Sequence, residues 1–259
     1  MGKIIAFTNQ KGGVGKTTTC INLAAFLALE GESVLVIDID PQGNASSGLG
    51  AEKGKGATSI YNVLSGEADI RDESIIQSTK IEKLKILASN LALAGAEVEL
   101  VSVKDGREFV IKRELDKVRD KYDYIFIDCP PSLGLLTINA LTASDEVIVP
   151  IQCEFFALEG LSQLMNTVRL VKKHLNPDLE VQGVVLTLFD GRSNHSSQVA
   201  AEVKNYFDKK LYVTKIPRNI RLAEATSYGL PIILYDRNCA GSRAYYALKE
   251  EFKKRERNR

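Results

Sequence analysis

The chain has 259 residues with ordinary apolar and charged fractions, enough to bury a full core as one α/β domain over residues 1–259, and this composition excludes a disordered chain. Thirty-four Lys and Arg against 33 Asp and Glu leave a formal charge of +1, so any nucleic-acid affinity has to come from a local basic patch. The N-terminus MGKIIAFTNQ has no charged n-region or cleavage site, and no apolar stretch approaches the roughly 20 residues of a spanning helix. Cys20, Cys129, Cys153 and Cys239 are scattered without a C-x-x-C pair, which argues for small core residues with reduced thiols over a zinc site or a stapled secreted fold. A soluble, cytoplasmic protein is expected.

In chain order, residues 3–8 form the first predicted strand, and Gln10-Lys11-Gly12-Gly13-Val14-Gly15-Lys16-Thr17-Thr18 leads from it into a helix predicted over 17–29. Glycines at such a junction let backbone N–H groups converge on phosphate oxygens, and the helix N-terminus adds the positive end of its dipole. Lys16 then reaches the β- and γ-phosphates of a nucleotide and the Thr17 hydroxyl ligates Mg²⁺. The strict pattern G-x-x-x-x-G-K-[ST] fails, because Gln10 holds the first glycine position and a second lysine, Lys11, follows it. The dinucleotide fingerprint G-x-G-x-x-G fails too, since Lys16-Thr17-Thr18 stands where its last glycine belongs.

Gly31 reads as the C-cap of that helix. The second strand, 33–38, ends in Asp38-Ile39-Asp40-Pro41-Gln42, placing Asp38 and Asp40 on one face of the extended chain at the carboxyl edge of the sheet, where ligands of open α/β sheets collect. Residues 44–80 read as a surface excursion with a small helix at Ile60–Leu64. The strand 122–128 ends in Asp128, ahead of Cys129-Pro130-Pro131-Ser132, with Cys129 as inert packing. Strands over 146–151, 181–188 and 211–216 and helices over 134–143, 158–174 and 196–207 complete the alternation. The near-continuous apolarity of the strands predicts burial on both faces, hence a single-domain, mostly parallel twisted sheet with helices on both faces. The terminal KKRERNR reads as a frayed, solvated helix end.

The segment K-G-G-V-G-K-T-T resembles the deviant Walker A box of the ParA/MinD superfamily of P-loop ATPases. Further blocks resemble the ParA/Soj chromosome-partitioning branch over nearly the whole chain: DIDPQGNASSGLG, LAGAEVEL, DCPPSLGLLTINALTASDEVIVPIQCEFFALEGL and IPRNIRLAEATSYGLPIILYD. The resemblance implies that Lys11 is a signature lysine reaching across an ATP-bound homodimer to the partner's nucleotide. It implies a nucleotide site of Lys11, Gly12, Gly13, Val14, Gly15, Lys16, Thr17 and Thr18. It makes Asp40 the group that positions the attacking water, with Lys11 and Lys16 beside it in hydrolysis, and assigns Asp38, Asp40 and Asp128 to support of the magnesium shell through water, with Thr17 as the direct ligand. The adenine site falls to Pro217, packing on the base, and Asn219, hydrogen-bonding it. Residues 154–159 match a loop that faces the dimer partner, and His195 has no catalytic task expected of it.

The same resemblance implies an ATP-dependent dimer that binds double-stranded DNA without sequence preference through Arg192, Arg218 and Arg221, associates with the nucleoid and answers to a ParB-type centromere-binding protein that stimulates a weak ATPase. The chain begins directly at its first strand, with no helix-turn-helix ahead of it, so specific operator recognition is not expected. Three alternatives are weighed. A MinD-like switch needs a C-terminal amphipathic helix with a continuous apolar stripe, which is not seen after Phe252, so no stable membrane association is expected. A nitrogenase-type iron protein needs two interface cysteines, whereas no cysteine lies between Cys20 and Cys129. A metabolic ligase or kinase needs an acceptor pocket, for which no distinctive residues stand out.

Overall fold

The computed structural model describes residues 2–52, 57–154 and 157–258, the side chains of residues 157–159 and His195 excepted. Its elements run β1 (Lys3–Phe7), α1 (Lys16–Leu29), β2 (Val34–Asp38), α2 (Asn44–Gly48), α3 (Ile60–Leu64), β3 (Gln77–Ser78), β4 (Leu84–Leu87), α4 (Leu93–Ser102) and α5 (Val110–Asp116). They continue as β5 (Tyr124–Asp128), α6 (Leu135–Ala143), β6 (Glu146–Gln152), α7 (Ala157–His174), β7 (Glu180–Phe189), α8 (Asn194–Phe207), β8 (Leu211–Pro217), α9 (Ile220–Ser227), α10 (Ile232–Tyr235) and α11 (Ala240–Arg257). The eight strands form one sheet in the order β3-β4-β2-β5-β1-β6-β7-β8, parallel throughout except for the short antiparallel β3 at one edge.

Alternation along the strands sends side chains to two cores. Ile4, Ala6, Leu35 and Ile37 face the layer of α3 to α8, whereas Ile5, Phe7, Val34 and Val36 face α1, α2, α9, α10 and α11. Helices on both faces explain why the strands are apolar on both sides. The helix α1 is buried over most of its circumference because the sheet lies on one side and α10 and α11 on the other. Gly31 follows it with φ +102°, as expected of a glycine that ends a helix.

Three expectations need correction. Residues 44–80 are not simply a surface excursion: Ala45, Ile60, Val63, Ile70 and Ile75 are all buried, and α2 packs against α1 and α9. The C-terminal segment is not frayed either. The helix α11 runs to Arg257 because Phe252, fully buried, anchors it in the core, a contribution of about 1.5–3 kcal/mol. Its cations then find partners: Lys253 pairs with Glu30 and Glu32, Arg255 stacks 3.9 Å from the centre of the Tyr212 ring, and the buried Lys249 pairs with Glu30 and Glu250. At the far edge of the sheet, the Glu251 carboxylate of α11 accepts the backbone N–H groups of Val213 and Thr214 on β8, each at 2.9 Å. Three cysteines are buried as expected, but Cys239 is only half-buried and its sulfur accepts the N–H of Ser242 at the start of α11.

Candidate functional site

The phosphate loop owes its shape to glycines and to anchors on neighbouring strands. Gly13 and Gly15 have φ of +74° and +80°, a region that costs an L-residue roughly 1–2 kcal/mol. Asn9, buried, ties the start of the bend to β6: its amide donates to Pro150 O at 2.8 Å, and its Oδ1 accepts the Lys11 N–H at 3.1 Å. From β7, the buried Thr187 hydroxyl donates to Val14 O at 2.7 Å. The helix α1 then begins at Lys16 with no side-chain cap and no acidic residue in its first turn, so the first-turn amides face outward without an anionic partner from the chain. That is an anion site, and phosphate fits it.

The two lysines of the loop part company. Lys16 is 6% exposed and its Nζ donates to Lys11 O at 3.2 Å; burial lowers its pKa, opposed by the nearby Asp128 and Asp40 carboxylates. Lys11 is not among the residues that line the cavity, and its ammonium lies 2.5 Å from Glu154 Oε2, two residues past β6. Residues 155 and 156 and the side chains of 157–159, the rest of the loop expected to face a dimer partner, lie outside the described residues.

Asp38 and Asp128 stand in register at the ends of β2 and β5, both with no exposed surface. Burial raises the pKa of each; the charge of Asp40 adds to it at Asp38, taking that carboxyl to about 6, and the charge of Asp38 adds to it at Asp128, which stands well above its ordinary value. Asp38 is spent on its own chain: its oxygens accept the Ser46 N–H at 2.8 Å, the Ser46 hydroxyl at 2.7 Å and the Asp40 N–H at 3.1 Å. It therefore fixes the course of the Asp40 loop and of α2. Asp128 accepts the Thr17 hydroxyl at 2.7 Å through Oδ2, and its Oδ1 is buried without a hydrogen-bond partner among the described residues. A Thr hydroxyl beside a half-satisfied buried carboxylate fits Mg²⁺, which keeps water and takes one or two protein oxygens with substrate phosphates. No group of three or more acidic, His or Cys side chains that could hold a metal ion exists among the described residues. Asp40 lines the cavity with its Oδ1 accepting the Gln42 N–H at 2.9 Å.

The cavity extends from the loop for about 680 Å³, enough for a nucleotide. One wall is Asp40, Gln42, Asn44 and Ser47; the opposite wall is Asn219, Leu222, Ala223 and Thr226 of α9. Asn219 is the N-cap of α9, its Oδ1 accepting the Arg221 N–H at 3.0 Å, while Pro217 ends β8 beside this wall without being part of it. Ser46, Thr187 and Tyr245, whose hydroxyl lies 3.2 Å from Thr19 Oγ1, carry no sequence signal of their own and were missed. Of the three arginines, Arg192 has a 93% exposed side chain beside Asp190, and Arg218 makes no salt bridge among the described residues. Arg221 is held by Glu224 at 2.9 Å and faces Asp236 at 3.7 Å.

The chain is similar to known proteins over nearly its whole length. A family model described as an AAA domain matches residues 2–181. The sporulation initiation inhibitor protein Soj of Bacillus subtilis is 59% identical over 251 residues, 97% of this chain and 98% of its own length. The chromosome-partitioning ATPase Soj of Treponema pallidum is 48% identical over the whole of both chains. Among solved structures, a cobyrinic acid a,c-diamide synthase of Mycobacterium smegmatis with bound ADP and magnesium superimposes with a TM-score of 0.83 at 37% identity, covering 96% of this chain and 93% of that one. No described helix is long and apolar enough to cross a membrane.

Proposed function

Because the chain belongs to the ParA/Soj family of chromosome-partitioning ATPases, we propose that it is a nucleotide-gated clamp: with ATP it dimerises and holds DNA regardless of sequence, and after hydrolysis it lets go. It is an ATPase and uses ATP with Mg²⁺. Lys16 and the amides of the phosphate loop hold the β- and γ-phosphates. The Thr17 hydroxyl, with Asp128 acting through water, would hold Mg²⁺, which when bound offsets the charge of the phosphates. Asp38 keeps the Asp40 loop in place, and Asp40 orients the water that attacks the γ-phosphorus as ADP leaves. Pro217 and Asn219 take the adenine end.

The observation that carries the reading is the division between the lysines. A lysine that belongs to the phosphate loop yet stands outside its own cavity, on Glu154, is available to the nucleotide of a second subunit. Dimerisation then depends on ATP, because the interface contains the nucleotide's charge. Arg192, Arg218 and Arg221 contact DNA phosphates, and pairing two such sets raises affinity steeply while a monomer of charge +1 has little bulk attraction. The protein stays on the nucleoid in this state, and a ParB-type centromere-binding protein speeds hydrolysis.

A salt titration of binding to two unrelated duplexes, in ATP and in ADP, tests this. With roughly 4 to 8 phosphates neutralised per dimer, log affinity falls with log salt at a slope of about −4 to −7 in ATP. Strong preference for one duplex, or equal binding in both nucleotides, overturns the DNA clamp. Nucleotide turnover that depends on a small-molecule acceptor and not on DNA or a partner protein would favour a metabolic enzyme on this scaffold. A membrane role has little to support it, because the apolar residues Tyr245, Leu248 and Phe252 of α11 are already buried in the core.

A further inference from the structure

The two walls of the cavity meet beyond it, backbone against backbone. A Cβ placed on Gly229, in the turn after α9, would lie 3.1 Å from Gly50 Cα and 3.2 Å from Ser47 O; one on Gly50 would lie 3.1 Å from Gly229 O. Both glycines have positive φ, +72° at Gly50 and +65° at Gly229. Just before this contact, a Cβ on Gly48 would meet Ile21 Cδ1 of α1 at 2.8 Å and Thr226 Cγ2 of α9 at 3.4 Å. The far side of the turn is pinned as well. The buried Asn22 of α1 donates to Thr18 O at 2.8 Å and accepts the Ile232 N–H at 2.7 Å, tying the start of α10 to the helix that bears the phosphates.

This arrangement makes a mechanical joint. On one side is the segment from Asp40 to Gly50, whose start is fixed by Asp38 and whose Asp40 lies where the γ-phosphate is handled. On the other is α9, with Arg218 and Arg221 at its N-terminal end. Packed side chains absorb a displacement by changing rotamer, but two backbones in contact do not. We propose that the Gly50–Gly229 contact transmits the presence of the γ-phosphate from the Asp40 segment to α9, and so sets the placement of its arginines. The inference rests on the proposed nucleotide switch but not on DNA being the ligand of those arginines. ATP and ADP carry the same base and ribose, so their direct contacts with α9 are alike. A difference between them at α9 has to arrive through the protein, and the Gly50–Gly229 contact is a link to the Asp40 segment in which backbone meets backbone.

The test compares amide hydrogen exchange of residues 220–227 with ATP and with ADP, in protein diluted until sedimentation finds only monomer. Wild-type protein is expected to show a several-fold ATP-to-ADP difference in exchange there. Gly229→Ala is expected to abolish that difference and to lower the ATP-to-ADP ratio of DNA affinity at least about fivefold, with ATP affinity retained. Gly66→Ala controls for backbone strain alone, because Gly66 has φ +79° and nothing within 4 Å of an added Cβ. If Gly229→Ala does not fold, Gly50→Ala, whose added Cβ would lie 3.1 Å from Gly229 O, takes its place with the same expected loss. No nucleotide difference at α9 overturns the joint, as does an unchanged difference in a folded Gly229→Ala protein. A difference at α9 in wild-type protein that binds no DNA sustains the joint and removes the DNA reading instead.

Discussion

Asp128→Asn should make the nucleotide-free protein more stable and the magnesium site worse. In the folded chain Asp38 and Asp128 are neighbours in register without solvent, and burial raises both pKa values. A carboxyl whose folded pKa lies above its unfolded value keeps a proton that the unfolded chain has released. Its contribution is therefore most favourable below about pH 4 and is lost as pH rises through the folded pKa. For Asp38, moving from an ordinary value near 3.9 to about 6 amounts to about 3 kcal/mol of lost stability, at about 1.4 kcal/mol per unit, between about pH 4 and 6. Asparagine at 128 removes the second carboxylate's own penalty, while it can still bond the Thr17 hydroxyl. At pH 7.5 the variant is expected to unfold at a higher urea concentration than wild type. The gain should shrink at pH 4.5, where the wild-type pair is protonated. Urea unfolding of both proteins at the two pH values measures it. In the same variant, the increase in ATP affinity that Mg²⁺ confers should fall by about tenfold, or about 1.4 kcal/mol. A variant less stable than wild type at pH 7.5, or one with the wild-type dependence on both pH and Mg²⁺, would refute the reasoning.

Lys16→Ala is expected to remove ATP binding, whereas Lys11→Ala should retain it and lose the ATP dimer; equilibrium binding with sedimentation separates the two, and a Lys11→Ala protein that still dimerises would sink the role given to Lys11. Asp40→Ala should trap the ATP dimer, with single-turnover phosphate release slowed at least about a hundredfold, and near wild-type release would reduce Asp40 to a turn residue. Arg221→Glu should flatten the salt dependence of DNA binding while sparing dimerisation. Glu224→Gln, which frees Arg221 from the carboxylate 2.9 Å away, should strengthen binding several-fold, and filter retention at fixed salt would expose the opposite order.

Much of this was written in short range. The strand-to-helix glycine loop, the acids at strand ends and the two lysines occupy contiguous stretches, and the alternation of apolar runs predicted β1, β2, β5, β6, β7 and β8 to within two residues at either end. Less accessible were β3 and β4, because Leu84–Leu87 is only four residues long and owes its place to β2 beside it. Asp38 was expected to support a metal shell. That it also organises the loop depends on Ser46, whose hydroxyl meets it only because α2 folds back. Thr187 and Tyr245 reach the phosphate loop and its helix from 173 and 226 residues away, a closeness that no local pattern encodes. The basic tail misled because composition alone cannot distinguish solvated cations from ones that cover Glu30, Glu32 and Tyr212.

The carboxylate of Glu251 has a consequence for the solution behaviour of the protein. An outer strand with free amide groups is a template onto which another chain can add itself, and Val213, 86% exposed, would offer that newcomer an apolar contact. By occupying two successive N–H groups where the β7–β8 register breaks, Glu251 narrows this route to uncontrolled self-association. A protein whose proposed pairing is licensed by ATP has particular need of that restraint, since an edge that joined copies without nucleotide would assemble them at all times and erase the signal.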